Sequence, residues 1–99
     1  MTINIEYVRM DKSEALNEYT SKKLEKIGRK YEWVIGTHVR FEHEHDPKRN
    51  GCICKMELSL PGPRIFATSN EKNYEMAVKE TIKELVKQLD KRKQIFKAH

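Results

Sequence analysis

The chain has 99 residues, 37% of them hydrophobic and 35% charged, and 20 lysines and arginines face 15 acids for a net charge of +5. That length suits one domain with a single core. No apolar run approaches the ~20 residues that a helical membrane span needs, and the basic excess points to nucleic acid or another polyanion.

Ile3, Ile5 and Tyr7 alternate with Thr2, Asn4 and Glu6, the period of a half-buried first strand. Asp11 and Glu14 have the spacing of a capping box, which predicts a helix from about residue 12. Its apolar side is Leu16, Thr20, Leu24, Ile27 and Tyr31. Lys22, Lys26 and Arg29 share a flank away from that stripe, with Lys23 and Lys30 nearer its edge. Gly36 marks the turn that follows. Val39, Phe41, His43 and His45 alternate with Arg40, Glu42 and Glu44 in a second strand, and Asp46-Pro47-Lys48-Arg49-Asn50-Gly51 is a loop signal. A third strand puts Cys52, Cys54, Met56, Leu58 and Leu60 on one face. Pro61-Gly62-Pro63 turns the chain into a short fourth strand, Arg64 to Thr68, and Ser69 or Asn70 can cap the closing helix.

That closing helix is amphipathic. Each four-residue step turns it by about 40°, so Val78, Thr81, Ile82, Leu85 and Leu89 cluster on one side. Lys79, Lys83, Lys87 and Lys91 sweep across the other. Glu75–Lys79 is a favourable i,i+4 pair. The order β-α-β-β-β-α predicts an α+β sandwich of two layers, a four-stranded mainly antiparallel sheet with both helices on one face. The first two strands can pair in parallel across the first helix. Residues 22–30 and 87–99 each carry a net +4, so the remainder is acidic.

The order of elements resembles that of the ribosome hibernation promoting factor family, also called ribosome-associated inhibitors or ribosomal subunit interface proteins. The resemblance covers essentially the whole chain, as one domain over residues 1–99. It is carried by Ile65-Phe66-Ala67-Thr68-Ser69 and by Ile82-Lys83-Glu84-Leu85-Val86-Lys87-Gln88-Leu89-Asp90-Lys91-Arg92-Lys93. The second run is similar to the family's Leu-x-[Arg/Lys]-Gln-Leu-x-Lys pattern. Glu14-Ala15-Leu16 and Lys23-Leu24-Glu25-Lys26 match near the N-terminus. One departure is Asn73-Tyr74-Glu75-Met76-Ala77, where the tyrosine is displaced by one position from the family's pattern; here it reads as core packing.

The resemblance implies a non-catalytic partner of the 30S subunit and its 16S ribosomal RNA within the 70S ribosome. Such a protein occupies the messenger RNA channel and the A- and P-site positions of tRNA and blocks translation in stationary phase or stress. It also implies the short form, without a C-terminal dimerisation domain, a monomer off the ribosome. The expected RNA contacts are Lys23 and Lys26 by family match and Lys87 and Lys91 by match and position. Lys22, Arg29, Lys30, Lys79, Lys83, Arg92 and Lys93 join them on charge. Most such contacts go to phosphates, which position a protein without reading sequence. The alternatives are a generic double-stranded-RNA-binding module and a regulatory module whose basic surface meets an acidic protein.

No cofactor, membrane partner or small-molecule substrate is expected, and no nucleophile–base pair or phosphate-binding glycine loop can be assembled from the sequence. The one metal candidate is His43, His45, Cys52 and Cys54. It requires His45 opposite Cys52 and His43 opposite Cys54, and it departs from the usual Cys-x₂₋₄-Cys zinc spacing. The competing reading makes the cysteines small buried hydrophobes, and the expectation is no metal. Trp33 is read as capping the core rather than stacking on a base. Met1-Thr2-Ile3-Asn4-Ile5-Glu6 has neither the basic nor the apolar region of a secretory leader, and none is expected. The cysteines are alternate residues ~6.5–7 Å apart along an extended strand, a spacing that does not bridge easily, so a cytoplasmic protein with reduced thiols is expected.

Overall fold

A computed structural model describes residues 1–45 and 50–97. Six elements follow in the order β1 (Thr2–Tyr7), α1 (Glu14–Lys30), β2 (Gly36–His43), β3 (Cys52–Ser59), β4 (Ile65–Glu71) and α2 (Tyr74–Lys97). The strands lie in the order β1-β2-β3-β4. β1 runs parallel to β2, and the other two pairings are antiparallel. The predicted α+β order is present, with a mixed sheet.

Alternation along the strands decides which face is covered. Val39, Phe41, Cys54, Met56, Leu58, Ile65 and Ala67 point one way and are buried. They form a single core cluster with Leu16, Leu24 and Ile27 of α1 and with Ala77, Val78, Leu85 and Leu89 of α2. Both helices therefore pack on that one face. Full burial of a leucine such as Leu85 stabilises by about 1.5–3 kcal/mol relative to exposure. Thr81 is buried inside α2, and its hydroxyl donates to the Ala77 carbonyl at 2.7 Å. No helix among the described residues is long and apolar enough to cross a membrane.

Three local expectations need correction. α1 is capped by Ser13, whose side chain accepts from the Leu16 N–H at 3.2 Å, so Asp11 stands outside the helix. The Tyr7 hydroxyl lies 2.9 Å from the Ser13 carbonyl and 2.8 Å from Asn17 Oδ1, pinning that cap to the end of β1. Second, β4 continues to Glu71, because Ser69 and Asn70 pair with Cys54 and Ile53 along the full length of β3. Asn73 caps α2 instead: its Oδ1 accepts from the Met76 N–H at 2.9 Å.

Third, β2 and β3 pair two residues away from the anticipated register, with His43 opposite Cys52 and Phe41 opposite Cys54. A slip of two keeps every side chain on its face, and it seats the large ring of Phe41 over the buried Cys54. The Glu44 N–H then donates to the Gly51 carbonyl at 2.9 Å. Asp46, Pro47, Lys48 and Arg49 of the predicted loop lie outside the described residues.

Candidate functional site

Two layers give two outer surfaces, and their charges are arranged differently. On the open face of the sheet, cations and acids meet across strands. Arg40 Nε lies 3.2 Å from Glu6 and His38 3.6 Å from the same carboxylate, Lys55 lies 3.0 Å from Glu42, and Arg64 pairs with Glu57. Such exposed pairs add little stability, but they cancel the charge of that face.

The helix layer is not compensated in this way. Among the described residues, Lys23, Lys26, Arg29 and Lys30 of α1 form no ion pair, nor do Lys79, Lys83, Lys87, Lys91, Arg92, Lys93 and Lys97 of α2. The anticipated Glu75–Lys79 pair is absent from them too. Lys22 is the exception, held 3.3 Å from Glu18 one turn earlier.

Rotation of about 100° per residue sorts the α1 cations by their neighbours. Lys23, Lys26 and Lys30 fall on the flank facing α2, whereas Lys22 and Arg29 fall on the other. Arg29 there lines a hollow with Met1, Ile3, Glu25 and Gly28. This grouping differs from the flank of Lys22, Lys26 and Arg29 anticipated from the sequence, because periodicity gives distance from the core stripe but not which side a neighbouring helix occupies.

Between the helices Lys23, Lys26 and Lys30 rim a cleft of about 210 Å³, lined also by Ile27 and Tyr31 and, from α2, by Ile82 and Val86. Ile82 and Val86 are only partly buried. Aromatic rings hold part of the rim in place. Lys23 Nζ lies 5.0 Å from the Tyr19 ring centroid, while Lys30 and Lys93 lie 5.4 and 6.0 Å from that of Tyr31. Cation–π contacts at exposed sites contribute about 0.5–1 kcal/mol each, and they leave the ammonium donors available.

Tyr31 closes one end of the cleft. Its ring is fully buried, and its hydroxyl donates to Asp90 Oδ1 at 2.5 Å. Burial, and then the Asp90 carboxylate, push its pKa up to about 12, so the hydroxyl stays a neutral donor at physiological pH. Trp33 stands edge-on to both Tyr31 (5.7 Å) and Phe96 (5.0 Å), in the core-capping place expected of it. Tyr74 likewise packs edge-on to Phe41, and its hydroxyl donates to the Glu42 carbonyl at 2.8 Å.

Lys79, Lys83, Lys87 and Lys91 are all exposed along α2. The row starts on the cleft side at Lys79 and drifts about 40° per step towards β4 at Lys91. Arg92 has a different task. Its guanidinium donates to the carbonyls of Pro61 (2.9 Å) and Pro63 (2.8 Å), strapping α2 to the β3–β4 turn. Gly62 in that turn has φ +92°, a conformation that favours glycine, and a Cβ there would stand 3.0 Å from the Arg92 guanidinium. Gln88 adds a second strap, donating to the Phe66 carbonyl at 2.9 Å. In the sequence Gln88 stands only as part of the family pattern, with no sign of this strap, and nothing there signals the Tyr31–Asp90 bond that joins residues 59 positions apart.

The metal candidates are not brought together. His43 faces Cys52, His45 lies beyond the end of β2, and Cys54 is buried under α2 with its thiol pKa pushed up to about 11 by burial. Among the described residues no group of three or more histidine, cysteine or acidic side chains is placed to hold an ion.

The chain matches, over residues 3–97, the family model described as sigma 54 modulation protein / S30EA ribosomal protein. Among solved structures it is similar to a ribosomal subunit interface protein from Coxiella burnetii, at 30% identity and a TM-score of 0.81, covering 95% of this chain and 99% of that one. It shares its fold with the N-terminal domain of Thermus thermophilus Protein Y, at 16% identity and a TM-score of 0.75, covering 92% of this chain and 98% of the other. No curated protein matches it.

Proposed function

The chain belongs to the sigma 54 modulation protein / S30EA ribosomal protein family, and on that premise we propose that it is a ribosome hibernation factor. As proposed, it binds the small ribosomal subunit through 16S ribosomal RNA, occupies the messenger RNA channel and the tRNA A and P sites, and blocks translation in stationary phase or stress. The family and its structural relative named as a ribosomal subunit interface protein support association with the ribosome.

One observation carries the RNA-binding reading. The cations of the sheet face are paired with acids, while those of the helix layer, Lys22 apart, form no such pair among the described residues. Excess positive charge is thereby gathered on the side formed by α1 and α2. Ribosomal RNA is dense in phosphate, and lysines that neutralise it release condensed counterions. Lys23, Lys26 and Lys30 from α1 and Lys79, Lys83, Lys87, Lys91 and Lys93 from α2 are the proposed contacts. Lys22 and Arg29 are peripheral ones on the far flank, and Arg92 serves mainly as the strap. The mechanism needs no reacting group: a folded domain held in the channel excludes messenger and tRNA by volume, and its work is occupancy rather than catalysis.

Sedimentation tests this reading. The protein should travel with 30S and 70S particles at low salt and leave the 50S fraction free. Absence from both 30S and 70S fractions, or tighter binding to free duplex RNA than to ribosomes, contradicts it.

A further inference from the structure

Phosphate recognition explains the lysines but not the surface between them. The floor of the inter-helix cleft is built from Ile27, Ile82 and Val86, with Lys23, Lys26 and Lys30 at its rim. A phosphate gains nothing from isoleucine and valine. A nucleotide has both halves of the matching chemistry: a planar, largely apolar base and an anionic phosphate a few ångströms away. The cleft, at about 210 Å³, is smaller than the ~300 Å³ at which sites for drug-sized ligands begin. That is the scale of one ring system and not of a peptide segment. The sheet face has a hollow of about 230 Å³ beside the exposed Phe66, but its basic groups His38, Arg40 and Lys55 are already held by Glu6 and Glu42 and are not left for a phosphate.

We infer that the cleft between α1 and α2 is a subsite for a single unpaired nucleotide, the base lying on Ile82 and Val86 and its phosphates held by Lys23, Lys26 and Lys30. The inference rests on the RNA-binding reading above and sharpens it. Bases of a duplex are stacked inside the helix and cannot enter such a slot, so the subsite selects loops, bulges or single strands. It provides a term that salt does not screen, in contrast to the phosphate contacts. Tyr31, tied to Asp90 at 2.5 Å, fixes the spacing of the two helices at one end and so keeps the slot from collapsing.

The test uses the full chain with ¹³C-labelled isoleucine and valine methyl groups. It is titrated separately with a uridine tetranucleotide, a self-complementary RNA duplex, inorganic polyphosphate and an acidic peptide containing tryptophan. A stacked base shields methyl groups beneath it, so the tetranucleotide should move the Ile82 and Val86 methyl signals upfield while polyphosphate and duplex leave them in place. The double variant Ile82→Thr/Val86→Thr, checked for folding by its urea midpoint, should bind the tetranucleotide about tenfold more weakly with the salt slope unchanged. Equal shifts with polyphosphate or duplex overturn the inference, and so does a shift produced by the peptide alone. Unmoved methyl signals in a protein that still cosediments with 30S subunits overturn the subsite and leave ribosome binding standing. Failure to cosediment overturns both.

Discussion

Replacing Lys23, Lys26 and Lys30 together by glutamine removes three positive charges from one rim of the cleft while keeping good helix formers of similar length. None of the three has an ion pair among the described residues to be lost with the charge. Each phosphate neutralised contributes about 0.7–0.9 to the slope of log affinity against log salt. The triple variant should therefore flatten that slope by about 2–3. Between about 50 and 200 mM salt the native protein should lose roughly thirtyfold more affinity than the variant, and the two curves should converge as salt rises. The assay is fluorescence anisotropy of labelled protein titrated with 30S subunits across a salt series, with urea midpoints to show that the fold is intact. Arg40→Gln with Lys55→Gln is the control, because those cations already lie against Glu6 and Glu42. An unchanged slope in the triple variant, or an equal flattening in the control, would refute the division of charge between the two faces.

Two further predictions concern stability. Asn73→Ala removes the α2 cap and should cost ~1 kcal/mol, lowering the melting temperature by about 4–8 °C, whereas Ser69→Ala inside β4 should stay within about 0.5 kcal/mol. The reverse order, read by thermal denaturation, would restore Ser69 as the cap. In alkali, Tyr31 and Tyr74 have pKa values raised to about 12 and Cys54 to about 11. The folded state thus holds these protons more tightly than the unfolded chain does. Their contribution is complete below about pH 9, near the ordinary thiol and phenol values, and is lost as pH rises through 11 and 12. Urea unfolding should show that decline, and Tyr31→Phe should make it shallower; a flat or rising profile from pH 9 to 12 would count against the buried, Asp90-bound phenol.

The elements were legible because their periods differ. Ile3, Ile5 and Tyr7 at every second position, and Leu85 and Leu89 at helical spacing, admit few other readings. Register was not legible, since a slip of two leaves the same residues on the same face. Only the packing of Phe41 over Cys54 separates His43–Cys52 from the anticipated His45–Cys52. Charge was legible as a sum but not as a partnership. Arg40 and Lys55 look in sequence like Lys26 and Lys87, and the acids that neutralise them come from neighbouring strands. Arg92 reads as one more cation beside Lys91 and Lys93 until the proline turn folds back beneath it. The cleft itself depends on which flank of α1 meets α2, which no single helix encodes.

The proposal that the helix layer faces 16S ribosomal RNA within the messenger channel is tested most directly by a cryo-EM map of the protein bound to 30S subunits. The expected map places the domain in the channel across the A and P sites, with Lys23, Lys26 and Lys87 against phosphates and the sheet face turned away from them. Density at another place on the subunit, or in the channel with the sheet face against the RNA, would contradict it.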